Sequence, residues 1–152
     1  MRADETGDRA AGPLLATKLY IPKRRGGLVV RARLLEHLRR GVDARLTLVS
    51  APAGFGKTTL LAEWLGEMSA ADSCVAWLSL DPSDNGPAVF WTYVVTALRG
   101  AVPSVGSRVL ELIASSPLST ELVLTTLLNE LAAVPGEVWA VIDDYHLVDH
   151  PD

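Results

Sequence analysis

The stretch VSAPAGFGKTTLLAEW, residues 49–64, decides the fold of this 152-residue chain. It sets Gly54, Gly56 and Lys57 between a short apolar run and a segment whose apolar residues recur at helical spacing. Glycines let a loop turn tightly and leave no side chain that would keep a ligand away from the backbone. Several backbone N–H groups can then converge on an anion, so the pattern predicts a phosphate-binding loop.

The residues of this loop have distinct predicted roles. From Ala51 the pattern is A-x-x-x-x-G-K-T, a phosphate-loop motif; the alternative is a glycine-rich turn that merely carries a lysine. Lys57 is expected to reach the β and γ phosphates as a point charge, and the Thr58 hydroxyl to coordinate Mg²⁺. Thr59 fits an ordinary helix position better than a second metal ligand. The predicted nucleotide-binding residues here are Ala53, Gly54, Phe55, Gly56, Lys57, Thr58 and Thr59.

A second candidate region is EVWAVIDDYH, residues 137–146, an apolar strand that runs into two aspartates. Ligands of open α/β sheets bind beyond the carboxyl ends of the strands, where these aspartates would lie. Asp143 is predicted to hold Mg²⁺ through water, and Asp144 to orient or deprotonate an attacking water. Alone, a strand ending in a solvated turn is the simpler interpretation, but the phosphate loop upstream favours the site. His146 has no predicted role beyond a turn.

Strands alternate with helices along the chain, which predicts an α/β fold with a parallel sheet. Residues 1–13 are predicted to be a disordered tail, and residues 14–22 to be extended. The predicted strands are residues 45–50, 74–80 and 137–146, and the predicted helices are residues 31–40, 58–69, 107–115 and those beginning at Pro87 and after Ser119. The side chains predicted to face the core are Leu61, Trp64, Leu65 and Met68, then Phe90, Trp91, Val94, Val95 and Leu98, then Leu124, Leu127, Leu128 and Leu131.

Composition indicates one globular domain, since 49% of the residues are hydrophobic and 21% are charged. The net charge is −4, yet nine of the 14 Lys and Arg residues lie between Lys18 and Arg45. A solvated basic surface is the favoured interpretation, and a polyanion-binding patch is the alternative. Cys74 is the single cysteine, which favours a reducing compartment, and no signal peptide or membrane span is recognised. We therefore predict a cytoplasmic protein without a membrane partner.

Five segments together resemble the start of the MalT-like regulators of the LuxR family, which are STAND-class P-loop ATPases. These segments are ATKLYIP (16–22), LVVRARLLEHL (28–38), LTLVSAPAGFGKTTLLAEWL (46–65), VAWLSLDPSDNGPAVFWTYVVTAL (75–98) and VIDDYHLVD (141–149). The resemblance covers residues 14–149. It implies a P-loop NTPase-like three-layer sandwich with a parallel sheet, and ATP or ADP with Mg²⁺ as cofactors.

The resemblance also implies further residues and partners. Val29 and Arg31 match the segment that lines the adenine pocket, while Asp143 and Asp144 match a double-aspartate Walker B motif. Family members bind DNA through a C-terminal helix-turn-helix that this sequence does not contain, and self-association is implied for the full-length proteins. Residues 14–152 are thus expected to be the N-terminal part of a STAND ATPase domain.

The resembling ATPases place a central strand, which carries a sensor arginine, after the Walker B strand in the chain. Because this sequence ends at Asp152, we expect a truncated ATPase domain that lacks this strand. The two strands beside it would have to pair directly or leave backbone groups unpaired. Exposed apolar surface is expected near Val49, Trp139 and Ile142.

Three hypotheses follow for function. The favoured one is the ATP-binding switch module of a transcriptional activator, in which ATP and ADP stabilise different states. The second is a stand-alone P-loop NTPase or kinase, which phosphoryl transfer to a small acceptor would reveal. The third is a non-functional gene fragment, which melting with and without Mg-ATP would separate from the others. ATP hydrolysis is implied by the family but not expected of this chain, and the effector and the regulated genes are not determined.

Overall fold

A computed structural model describes residues 13–23, 31–68, 73–115 and 117–149. The described elements are α1 (Ala32–Arg40), α2 (Lys57–Glu67), β1 (Ser73–Ser79), α3 (Pro87–Ala101), α4 (Ser107–Ala114), α5 (Thr120–Ala132) and β2 (Glu137–Asp143). Short 3-10 turns cover Ala16–Leu19, Pro82–Asp84 and Tyr145–Leu147. The chain divides into two compact units: the loop unit, residues 21–73, and the sheet unit, residues 1–20 with 74–152.

The sheet unit contains a two-stranded sheet in which β1 pairs with β2. The backbone N–H that follows β1, at Leu80, donates to the carbonyl oxygen of Asp143 over 3.0 Å. The carboxyl ends of both strands therefore lie together, as in a parallel pair. Three consecutive residues of β1, Ala76 to Leu78, are buried, as expected of a strand covered on both faces. The predicted α/β class is confirmed, while the three-layer sandwich stays a prediction.

Helices α3, α4 and α5 pack in sequence order beside this sheet and supply most of the core. Gly106, just before α4, has a φ of 97°, and a Cβ there would lie 2.7 Å from the Cγ1 of Val95. Only glycine fits so close to a buried side chain in that conformation. The Gly106 N–H donates to Glu130 over 2.6 Å, which ties the start of α4 to α5.

The predicted helices form close to their predicted bounds. Pro87 is the first residue of α3, where its missing N–H is not needed. Ser119 precedes α5, and its hydroxyl accepts from the Leu122 N–H over 3.3 Å, which confirms the predicted N-cap. Gly41 follows α1 and donates its N–H to carbonyls of the last turn. Local capping signals thus locate the helix ends.

The predicted inward face of α5 is wrong in part. The structure buries Val123 and Leu127, whereas Leu124 and Leu128 are exposed. Helix α5 carries apolar residues on more than one side, so periodicity alone does not determine which side faces the rest of the sheet unit. Contacts with α4 decide it.

The first of two predicted extended segments is wrong in part, and the second is wrong. Residues 14–22 contain the 3-10 turn Ala16–Leu19, within which Lys18 is buried, whereas Leu15 and Tyr20 on either side are extended. Residues 45–50 form no strand, and the side chains of Leu46 and Leu48 are 85% and 84% exposed. A strand requires a hydrogen-bonded neighbour, and the described sheet consists of β1 and β2 alone. The expected exposure near Ile142 is present, at 38%.

Of the predicted tail, residues 1–13, only residue 13 is described. The predicted nucleotide contact Val29 also lies outside the described residues. Across the described ranges, no helix combines the length and the apolar character that crossing a membrane requires.

Candidate phosphate loop and carboxylate edge

The loop unit places the glycine loop directly before α2. Gly54 and Gly56 have φ values of 79° and 76°, in the left-handed region that residues with a Cβ rarely adopt. Gly56 is the N-cap of α2, and the helix begins at Lys57. A helix start offers N–H groups that have no acceptor within the helix, together with a partial positive charge. The sequence therefore encodes a backbone shape suited to an anion.

Lys57 folds back over this loop. Its Nζ donates to the carbonyl oxygens of Ala51, over 2.9 Å, and Pro52, over 3.3 Å. The Phe55 N–H also donates to the Pro52 carbonyl, over 3.4 Å. The ammonium group thus lies at the loop, held by carbonyls rather than by a carboxylate in these contacts.

Arg31 brings a second cation to the same place. It precedes α1, and its Nη1 donates to the carbonyl oxygen of Phe55 over 2.5 Å. A Cβ added to Gly56 would lie 3.3 Å from the Nη2 of Arg31. The guanidinium group therefore packs against the second glycine of the loop, and its predicted contact with adenine stays a prediction.

Helix packing explains how Arg31 reaches the loop. Helices α1 and α2 pack together, with Leu35 and Leu38 of α1 buried. Arg39 and Glu67 form an exposed ion pair between the two helices at 2.7 Å. The start of α1 is thereby held beside the start of α2.

One side of the loop is open. A Cβ added to Gly54 would meet no atom within 4 Å. Ala53, Phe55 and Thr59 are exposed, while Thr58 is half-buried. The loop could therefore admit a phosphate group from the side of Gly54, with the two cations nearby.

The sheet unit carries the second candidate region at the carboxyl end of β2. Asp143 is buried, and its Oδ1 accepts from the Asp144 N–H over 3.1 Å. Asp144 has a φ of 57°, and it is the one non-glycine residue with positive φ among those described. Such a conformation is strained and is found often at functional sites. His146 Nδ1 lies 4.0 Å from Asp144 Oδ1, beyond hydrogen-bonding distance.

Sequence reasoning missed a buried ion cluster beside this edge. Lys18 Nζ lies 2.6 Å from Asp81 Oδ2 and 2.7 Å from both carboxylate oxygens of Asp84. Burial alone would lower the pKa of Lys18, but its hydrogen bonds to Asp81 and then Asp84 outweigh burial and raise it. Hydrogen bonds from Lys18 and then Ser83 lower the pKa of Asp81 to about 2. The sequence DPSD signals a capped turn, but no local pattern links it to a lysine 63 residues upstream of Asp81.

The chemical groups of these two regions suit a nucleotide and Mg²⁺, the cofactors that the resemblance implies. Glycine backbone, lysine and arginine suit phosphate oxygens, and hydroxyl and carboxylate oxygens suit Mg²⁺. Among the described residues, no three His, Cys, Asp or Glu side chains gather as a group that could hold a metal.

The described architecture defines an α/β protein with a glycine-rich loop at the start of a helix. Its sequence is similar to HTH-type transcriptional regulator MalT of Yersinia enterocolitica, with 41% identity over 137 residues, covering 89% of this chain and 15% of that protein. MalT of Cronobacter sakazakii is 37% identical over 144 residues, covering 91% of this chain and 15% of that protein. No protein-family model matches the chain.

A protein of another name shares the same region. Serine/threonine-protein kinase PknK of Mycobacterium tuberculosis is 37% identical over 139 residues, which cover 90% of this chain and 12% of that protein. The chain therefore spans about 12% to 15% of the length of these relatives. The predicted resemblance is confirmed: this chain is related to MalT-like transcriptional regulators.

Proposed function

We propose that this chain is the ATP-binding switch module of a LuxR/MalT-like transcriptional activator. The observation that carries the proposal is the loop before α2, in which Gly54 and Gly56 are left-handed and Lys57 starts the helix. This backbone suits several N–H groups converging on one anion.

Nucleotide binding would exchange the partners of Lys57. Its ammonium group now contacts the Ala51 and Pro52 carbonyls, and the β and γ phosphates would replace them as stronger, charged acceptors. Arg31 lies against the loop through Phe55 and can contribute a second cation or meet the base, together with Val29. The residues proposed to surround the phosphates are Ala53, Gly54, Phe55, Gly56, Lys57, Thr58 and Thr59.

The proposed metal ligands are the Thr58 hydroxyl and, through water, the Asp143 carboxylate. Bound Mg²⁺ would neutralise charge on the phosphates. Asp144 would orient or deprotonate a water molecule.

The proposed biological role is a switch rather than rapid turnover. ATP and ADP would shift the populations of two states by binding them with different affinities. The module would be the N-terminal part, residues 14–152, of a STAND-type domain in a three-layer sandwich. DNA binding through a helix-turn-helix, self-association and a location in the cytoplasm are proposed for the whole protein, of which this chain would be one part.

The similarity to a protein named as a kinase supports a module that works with more than one kind of output. A stand-alone NTPase or kinase is the second candidate. Transfer of the γ-phosphate to a small acceptor by this chain would favour it, whereas nucleotide binding without transfer favours the switch.

Calorimetric titration with Mg-ATP tests the proposal. Lys57→Ala should abolish binding, since it removes the ammonium group that would contact the β and γ phosphates. Lys23→Ala is the matched control, because Lys23 is an exposed lysine of the same unit. Equal affinity in the parent and Lys57→Ala would contradict nucleotide binding at this loop.

A further inference from the structure

A buried cation lies beneath the turn between β1 and α3. Lys18 is 8% exposed, and its Nζ contacts both Asp81 and Asp84 at 2.6 to 2.7 Å. The same Nζ lies 4.9 Å from the centre of the Tyr93 ring on α3. Lysine is rarely buried unless it is paired, so this site is a built ion cluster rather than a chance surface contact.

The turn itself is fixed by reciprocal hydrogen bonds. Asp84 Oδ2 accepts from the Asp81 N–H over 2.9 Å, and Asp81 Oδ1 accepts from the Ser83 N–H over 2.8 Å. On the other side, the Leu15 N–H donates to the Tyr93 hydroxyl over 2.9 Å. Residues 15–18 are therefore anchored to this turn and to α3 at two points.

This turn also holds both ends of the segment that carries the candidate carboxylates. At one end, the Leu80 N–H donates to the Asp143 carbonyl oxygen over 3.0 Å. At the other end, Asn85 Oδ1 accepts from the Asp149 N–H over 2.8 Å. Residues 80 and 85 flank the ion cluster, so a shift of the turn would be passed to residues 143–149.

We propose that Lys18 is a positioning residue for the segment of residues 143–149. It neutralises Asp81 and Asp84, and it thereby keeps the turn in the geometry that places the Asp143 carboxylate. The mechanical claim concerns the sheet unit alone, whereas its consequence for Mg²⁺ rests on the proposed function.

The charges explain why a lysine is needed. Asp84 is 1% exposed, so without Lys18 its carboxylate would be buried beside the Asp81 carboxylate with no cation between them. Two neighbouring carboxylates repel each other, and burial makes an unpaired charge still less favourable. The turn would therefore have to open, or a carboxyl would have to take up a proton. Either change would loosen the hydrogen bonds that residues 80 and 85 make.

Amide hydrogen exchange of the 152-residue chain tests the mechanical claim without nucleotide. In Lys18→Met, the amides of Leu80 and Asp149 should exchange about tenfold faster or more, while amides within α5 change by less than about twofold. Lys23→Met is the control and should leave all of these amides unchanged. Equal acceleration throughout the sheet unit, or no change at Leu80 and Asp149, would overturn the proposal.

A second variant keeps the test decisive if Lys18→Met does not fold. Asn85→Ala removes the acceptor of the Asp149 N–H and leaves no buried charge unpaired. It should therefore speed exchange at Asp149 about tenfold and leave the Leu80 amide protected. An unchanged Asp149 amide in Asn85→Ala would mean that the turn does not hold the segment.

The consequence for the metal is measured as the ratio of ATP affinities with Mg²⁺ and with EDTA. Lys18→Met should reduce this ratio about tenfold while the Mg²⁺-free affinity is kept, because Lys57 and the loop are untouched. A uniform loss under both conditions would indicate a merely structural role for Lys18. If the parent chain and Lys57→Ala both fail to bind ATP, the proposed function is wrong, but the exchange result still decides the role of Lys18.

Discussion

Two short apolar runs of the chain, residues 46–48 and residues 76–78, have opposite surroundings. Leu46 and Leu48 expose more than four fifths of their side chains, whereas Ala76, Trp77 and Leu78 are 4% exposed or less. The second run lies in β1 and pairs with β2, and the first run belongs to no strand. Apolar character alone does not bury a segment, because its backbone must also find hydrogen-bond partners.

The largest expected effect is a difference in stability when one large side chain of each run is truncated to alanine. Trp77→Ala should lower the free energy of unfolding by about 3 to 5 kcal/mol, because it removes a large buried side chain. Leu48→Ala should change it by less than about 0.5 kcal/mol. Urea unfolding followed by circular dichroism measures both. Similar losses in the two variants would show that residues 46–48 are buried in solution.

A pair of glycines sharpens the contrast between the two units. Gly106→Ala should cost about 2 to 4 kcal/mol, since alanine at positive φ is strained and its Cβ would clash with Val95. Gly54→Ala should cost only about 1 kcal/mol, because the strain remains but the space is open. The same unfolding experiment compares them, and equal losses would contradict the close packing at Gly106.

A smaller expected effect is a loss of stability of the sheet unit at low pH. The Lys18 ammonium, and then Ser83, lower the pKa of Asp81 from 3.8 to about 2. A carboxyl with a lowered pKa stabilises the fold above its ordinary pKa, and this stabilisation is lost as the pH falls through the folded value. Stability should therefore decline between about pH 4 and pH 2. Asp81→Asn should flatten this decline in melting temperatures measured from pH 5 to pH 2, and an unchanged slope would contradict the pairing.

Much of this structure follows from local sequence signals. The helices begin and end near Pro87, Ser119 and Gly41 because caps and periodicity act within a few residues. A tight turn at the glycines of the loop was likewise predicted from the phosphate-loop pattern, and the structure gives Gly54 and Gly56 the left-handed φ values that such a turn uses. The roles assigned to the side chains at the loop and at the carboxylate edge stay predictions.

The features that were missed depend on distant parts of the chain. The cluster of Lys18 with Asp81 and Asp84 joins residues far apart in sequence, and lysine and aspartate usually signal a solvated surface. The inward face of α5 depends on contacts with α4, and the fate of residues 45–50 depends on a neighbouring strand. Tertiary packing decides each of these cases, so periodicity could not.

Binding of ATP at the glycine loop is tested most directly by following backbone amides in nuclear magnetic resonance spectra during titration with Mg-ATP. The amide signals of Gly54, Gly56 and Lys57 should shift and saturate in the parent chain, because the proposal has the N–H groups of this loop bind the phosphates. In Lys57→Ala, the signals of the two glycines should not move over the same concentrations. Saturating shifts that persist in Lys57→Ala, or that leave the two glycines unchanged in the parent chain, would contradict a nucleotide site at this loop.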